Sequence, residues 1–171
     1  MNIDFLLGRG DNDNEALLWE NKFYSYSYLK ENITKCSDCL LANEIKKNSV
    51  VGLSGDFSPN TISIFFSLIK LNCIIVPFDK KQKNNNKQKY EIARIEYLIT
   101  VNKNEKIKIS KVKIIELHTL YNSLVKNNIP GLVMFTSGTS GIPKAAVHDL
   151  SKLLEKFRYE RKALRTLNFL L

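Results

Sequence analysis

Thr136-Ser137-Gly138-Thr139-Ser140-Gly141-Ile142-Pro143-Lys144 gathers four hydroxyls, two glycines and one ammonium group into nine residues. Hydroxyls donate in whatever direction an anion requires, glycines let main-chain N–H groups approach it closely, and lysine adds a positive charge on a flexible stem. Such a set can wrap a phosphate or a chain of phosphates. It is not a Walker loop, because Ala145 rather than Ser or Thr follows Lys144, and Pro143 removes an N–H where that motif has Gly. The other reading of a Ser/Thr/Gly cluster is an ordinary polar loop after a buried strand. No acid or nucleophile near His148 in sequence, the adjacent Asp149 included, gives it a defined base role, so a structural or pocket-edge role is preferred and no catalytic residue is assigned.

A loop of this kind needs rigid elements behind it. Gly131-Leu132-Val133-Met134-Phe135 is apolar and of strand type, residues 145–148 predict a short strand leaving the loop, and Asp149 or Ser151 predicts the cap of a helix through Leu153, Leu154, Phe157 and Tyr159. Upstream, 50–54 and 73–77 read as buried strands on either side of a helix over 59–71, with Ser58 as N-cap, Pro59 at the first helical position and Ile62, Phe65, Phe66 and Ile69 turned inward. A βαβ unit of this type implies a right-handed crossover and a parallel sheet. Residues 16–19 and 23–26 predict a hairpin around Glu20-Asn21-Lys22, and Leu29, Ile33, Cys36, Leu40, Leu41 and Ile45 recur at helical spacing over 27–47. Residues 95–101 and 107–115 predict strands joined by Asn102-Lys103-Asn104, and 118–125 a helix. The expected fold class is α/β, a mostly parallel sheet flanked by helices.

The string from Phe135 to Ala145 resembles the phosphate-binding loop of the adenylate-forming (AMP-binding) superfamily, which includes acyl-CoA synthetases, carrier-protein ligases and luciferases. The family pattern is Tyr/Phe-Thr-Ser-Gly-Thr/Ser-Thr/Ser-Gly-x-Pro-Lys-Gly, and only its last Gly departs here, as Ala145. Val51-Gly52-Leu53, the helix after it and Ile74-Ile75-Val76-Pro77-Phe78-Asp79 are similar to the family's early signature, with Lys70-Leu71-Asn72 where Lys-Ala-Gly is usual. The stretch 148–157 and the Leu-rich ending resemble a bacterial acyl-CoA-synthetase-like branch.

Family members join a carboxylate to ATP, with Mg²⁺, to form an acyl-adenylate and pyrophosphate. They usually pass the acyl group to coenzyme A or a phosphopantetheine carrier. The resemblance implies that Thr136, Ser137, Gly138, Thr139, Ser140, Gly141 and Lys144 hold the β- and γ-phosphates and then the departing pyrophosphate. The family's ribose-binding Asp, its adenylation Lys and its C-terminal lid domain lie downstream of the loop and have no counterpart here. Residues 1–171 are therefore expected to be the N-terminal portion of an AMP-dependent synthetase/ligase domain, an incomplete fragment inactive alone that a downstream polypeptide would complete. The alternative is a non-catalytic nucleotide- or pyrophosphate-binding module, or one half of a split ligase. The carboxylate substrate is not specified.

At 171 residues, 44% hydrophobic and 25% charged, the chain suits one soluble globular domain. It has no apolar run near the roughly 20 residues that span a bilayer, and its start lacks the features of a signal peptide, so a cytoplasmic location is expected. Of the net charge of +9, the stretch from Lys80 to Lys113 carries +8. Its charges are mostly Lys among Asn, with few aromatics to stack on bases, so solvation rather than nucleic-acid binding is the preferred reading. Cys36 and Cys39 form a lone Cys-x-x-Cys without a second pair or His cluster, which favours two residues packed inward on a helix and no metal site.

Overall fold

In the computed structural model, which describes residues 3–8, 12–79, 86–112, 116–136 and 143–158, a short helix α1 (Asp4–Leu7) precedes a hairpin of β1 (Glu15–Trp19) and β2 (Lys22–Ser25). The turn has two residues rather than three: Glu20 and Asn21 both take positive φ, at 48° and 62°, and Trp19 pairs with Lys22. Two successive left-handed residues match the twist of the flanking strands, which is why this turn closes so tightly. Tyr26 already belongs to α2 (Tyr26–Ala42), capped by Ser25 through the Tyr28 N–H.

The expected helix over 27–47 ends five residues early. Glu44 takes φ 63°, its N–H donates to the Leu41 carbonyl, and the Ile45 N–H reaches back to Leu40. These two reversed bonds satisfy the last carbonyls of the helix and turn the chain away. The same stop recurs at Asn72, Arg94 and Asn128, with φ of 52°, 52° and 53°.

Strand β3 (Val50–Ser54), helix α3 (Pro59–Lys70) and strand β4 (Ile74–Phe78) form the βαβ unit, with Ser58 accepting from the Thr61 N–H and Pro59 opening the helix. The face of α3 that turns inward differs from the expectation. Ile62, Phe65 and Phe66 are half-buried, whereas Thr61, Ser63, Ile64, Ser67, Leu68 and Ile69 are buried. The serines are admitted because α2 satisfies them: Asn32 Nδ2 donates to Ser63 Oγ at 2.9 Å, and Ser67 Oγ lies 2.8 Å from the Ile33 carbonyl.

Helix α4 (Asn86–Ala93) follows, then β5 (Tyr97–Val101) and β6 (Ile107–Lys111), a 3₁₀ turn at Thr119–Tyr121, α5 (Asn122–Lys126), β7 (Gly131–Thr136), β8 (Lys144–Asp149) and α6 (Leu150–Glu155). His118 is the N-cap of the 3₁₀ turn, its Nδ1 accepting from the Leu120 N–H. Asp149, one of the two candidates, caps α6. The basic segment 80–85, residues 113–115, Tyr159 and the Leu-rich ending lie outside the described residues.

The six-stranded sheet runs β6-β5-β3-β4-β7-β8; β5, β3, β4 and β7 are parallel, and the two edges β6 and β8 are antiparallel. Both faces are covered. Val51, Leu53, Ile75 and Ile99 pack with Leu29, Ile33, Leu40, Ile64 and Leu68 from α2 and α3. Their sequence neighbours Val50, Ile74, Val76 and Phe78 pack on the other face with Ala93, Ile95 and Tyr121, whose hydroxyl donates to the Ala93 carbonyl at 2.9 Å. This double burial explains why the parallel strands read as continuous apolar runs.

Candidate functional site

Strands β7 and β8 pair antiparallel from Gly131↔Asp149 to Thr136↔Lys144. The hydroxyl and glycine cluster lies in the sequence between those last partners. Thr136 Oγ1 donates to the Lys144 carbonyl at 3.4 Å across its base. The parallel strands all finish at the same edge, at Ser54, Phe78, Val101 and Thr136. Ligands of open α/β sheets gather outside that carboxyl edge. The side chains of Thr136 and Lys144 are exposed there. Of the other residues singled out from the sequence, Ser137, Gly138, Thr139, Ser140 and Gly141 lie outside the described residues.

The ladder beside that hairpin is short. β4 and β7 share only the register pairs Ile74↔Gly131 and Ile75↔Leu132, at their amino ends. Towards the carboxyl edge their side chains meet on one face of the sheet: Phe78 lies 6.2 Å from Phe135 and 4.8 Å, edge-on, from Tyr90 of α4. Lys89, also on α4, has its Nζ 5.6 Å from the centre of the Phe135 ring.

His148 pairs in register with Leu132 and is half-buried. Four residues of strand separate it from Lys144, or about 13 Å, so it stands at the amino end of the sheet and away from the loop.

The cysteines do not act as a pair. Cys36 is buried, its thiol pushed up to about 11 by burial and, less, by Cys39, while Cys39 is exposed rather than packed inward. The three-residue step carries Cys39 past the edge of the buried stripe of Leu29, Ile33, Cys36 and Leu40. Cys73 is buried beneath the sheet, its Sγ 3.4 Å from the Lys46 carbonyl, and burial pushes its thiol up to about 12. Thiols held protonated in this way are poor nucleophiles and ligands. Among the described residues no group of three or more His, Cys, Asp or Glu converges as a metal site, and no helix is long and apolar enough to cross a membrane.

The profile of the AMP-binding enzyme family matches residues 8–167. The chain belongs to this family. Among similar proteins, the hybrid PKS-NRPS synthetase gkaA of Penicillium citrinum is 26% identical over 136 residues, which are 72% of this chain and 3% of that protein. Among solved structures, the N-terminal subdomain of NpsA from Klebsiella oxytoca superposes with a TM-score of 0.61 at 19% identity, covering 79% of this AMP-binding family chain and 38% of its own. VinN in complex with L-aspartate gives 0.61 at 13% identity, covering 84% and 46%. The chain thus spans less than half the length of these relatives. The shared fold is the N-terminal subdomain of adenylate-forming enzymes, a mixed α/β sheet flanked by helices.

Proposed function

We propose that residues 136–144 bind the β- and γ-phosphates of ATP, and pyrophosphate after it leaves, in ATP-dependent activation of a carboxylate. The observation that carries this reading is the position of the hairpin: its base, Thr136 and Lys144, lies at the carboxyl edge of the parallel strands, with the family's phosphate-loop string between them. Ser137, Thr139 and Ser140 would donate from their hydroxyls, Gly138 and Gly141 from main-chain N–H groups, and Lys144 from its ammonium. Their donor set fits a polyphosphate. In the reaction a carboxylate oxygen forms a bond to the α-phosphorus while the bond from that phosphorus to the bridging oxygen breaks, and the electron pair leaves on pyrophosphate. Repulsion between anions opposes the attack, and positioned donors that neutralise the leaving charge lower the barrier. Mg²⁺ would share that neutralisation when bound. The described residues offer no acidic cluster for it, and the roles assigned here rest on the chain's own donors.

Residues 1–171 are read as the N-terminal portion of an AMP-dependent synthetase/ligase domain. The acyl group would pass to coenzyme A or to a phosphopantetheine carrier. The existence of NpsA-ThdA as an artificially fused adenylation-PCP di-domain supports a carrier as the acceptor. Titration of pyrophosphate, ATP and adenosine tests the loop. Pyrophosphate and ATP should bind alike and adenosine hardly at all, and Lys144→Ala should weaken the first two by about 10- to 100-fold, the size of one charge-assisted hydrogen bond. Equal binding by both proteins overturns the assignment. The 171-residue chain assayed alone should give no carboxylate-dependent exchange of labelled pyrophosphate into ATP, and robust exchange would show a self-sufficient enzyme instead.

A further inference from the structure

We propose that the outer edge of β6 is a docking site for an acidic, extended segment of a partner protein, which adds to the sheet as a further strand.

The antiparallel register decides which backbone groups can take it. The Val112 N–H donates to the Glu96 carbonyl at 2.7 Å and the Asn102 N–H to the Lys106 carbonyl at 3.1 Å. The residues of β6 that exchange hydrogen bonds with β5 are therefore Lys108 and Ser110, with Lys106 and Val112 beyond its ends. The N–H and C=O groups of Ile107, Ile109 and Lys111 point away from β5, and no strand pairs with them among the described residues. A row of this kind is a template for another chain.

The side chains say which chain. Ile109 packs on the core that holds Tyr97, Ile99 and Val101, and Ile107, two residues before it on the same face, is 37% exposed. An apolar side chain of an added strand would cover Ile107. On the opposite face Lys108 is exposed, as are Lys106 two residues before it and Lys103 in the turn. None of these three lysines has an ion-pair partner among the described residues, whereas Lys111 is engaged by Glu44 at 2.8 Å. The edge thus calls for a segment in which apolar and acidic residues alternate. A second copy of this chain fits less well, since β6 paired with itself sets lysines against lysines. The other edge, β8, carries a lysine and an aspartate and has no comparable preference.

The probe is the peptide Ac-Glu-Val-Glu-Val-Glu-Val-Glu-amide, with a counterpart that has lysine in place of glutamate. Both are titrated at low and high ionic strength against the full chain, Lys108→Glu, Ile107→Pro and Lys35→Glu, and backbone amide exchange is read by NMR. Lys35 is exposed on α2 and supplies a control of the same charge change. The acidic peptide should slow exchange at Ile107, Ile109 and Lys111 and leave Lys108 and Ser110, already bonded to β5, as they were. Lys108→Glu should weaken it by about three- to tenfold, the size of reversing one cross-strand charge pair, and should bind the lysine peptide better than the unaltered chain does. Lys35→Glu should match the unaltered chain, and added salt should weaken the acidic peptide. Ile107→Pro removes an outward N–H without removing a bond to β5 and should weaken binding as well. Thermal melting of each variant establishes that it is folded. Failure of the acidic peptide to bind, equal binding of the two peptides, or protection that does not alternate along β6 overturns the proposal. So does protection of the same three amides that rises with protein concentration without peptide, together with a dimer in sedimentation, which would make a second copy the occupant.

Discussion

β3 is paired along its whole length with β4, from Val50↔Ile74 to Ser54↔Phe78, and over all but its first residue with β5, from Val51↔Tyr97 to Ser54↔Thr100, whereas β7 meets β4 only at Ile74↔Gly131 and Ile75↔Leu132. Burial follows the pairing. Every residue of β3 is buried, while Met134, Thr136, Lys144 and Ala146 of the β7–β8 hairpin are exposed. The centre of the sheet is thus a platform held by ladders and two apolar layers, and the hairpin is an arm fastened at its root. The root is itself well made: Leu150 is buried, its N–H donates to the Pro130 carbonyl at 2.9 Å, and Leu153 and Leu154 of α6 pack on the main core. Local opening free energies are lowest where buried contacts are fewest, so the hairpin is the part of the sheet expected to open first.

The contrast is broken or upheld most directly by paired truncations. Ile99→Ala, in the centre, removes a side chain with no exposed surface and should cost about 2–5 kcal/mol in denaturant unfolding, whereas the exposed Met134→Ala in the arm should stay within about 0.5 kcal/mol. Comparable losses would mean that the arm is as much a part of the core as β5.

A smaller effect tests the root. Asp149 accepts from the Lys152 N–H at 3.1 Å as the cap of α6. Asp149→Ala should cost about 0.5–2 kcal/mol. Hydrogen exchange should show that loss in β7 and β8 first, with β3 and β5 nearly unmoved; uniform loss of protection across the sheet would argue against an arm that opens on its own.

The smallest effect concerns the amino edge of the platform. Burial is the main influence on Glu96 and raises its carboxyl above the usual Glu value, against hydrogen bonds from Val50 N–H and Ser49 and the charges of Lys46 and Lys111. A carboxyl whose folded value is raised holds its proton more tightly in the folded state. Its contribution is complete below the unfolded value and is lost as pH rises through the folded one. Glu44 runs the other way, its value lowered by a 2.8 Å hydrogen bond and the charge of Lys111, so its contribution is present above the unfolded value and fades as pH falls. Glu96→Gln should therefore remove only the loss on the alkaline side, visible as a denaturation midpoint that no longer declines from mildly acidic to neutral pH. An unchanged profile would place the burial of Glu96 outside the energetics of the platform.

The platform was largely legible in the sequence, and the arm's attachment was not. Ser58 and Pro59 announce α3, and aliphatic runs announce β3, β4 and β7, because caps and hydrophobic periodicity are written locally. The inward face of α3 escaped because Ser63 and Ser67 look polar until Asn32 and the Ile33 carbonyl are brought across from α2. The place of β7 beside β4, and the brevity of their ladder, depend on pairing between residues more than 50 apart, for which no local pattern exists. The loop was identifiable as a string, while the packing of Tyr90 from α4 against Phe78 beside β7 was not.

Four helices end on a left-handed residue that carries a side chain: Glu44 after α2, Asn72 after α3, Arg94 after α4 and Asn128 after α5. That conformation costs a residue with a Cβ roughly 1–2 kcal/mol, less for Asn, which glycine avoids. In a chain of this size each kcal/mol recovered corresponds to about 2–4 °C in melting temperature. The fold therefore has thermal headroom built into a helix end: glycine at Arg94, which unlike Glu44 carries no ion pair to the sheet, would raise the temperature the scaffold withstands without touching the sheet, its cores or the loop at its edge.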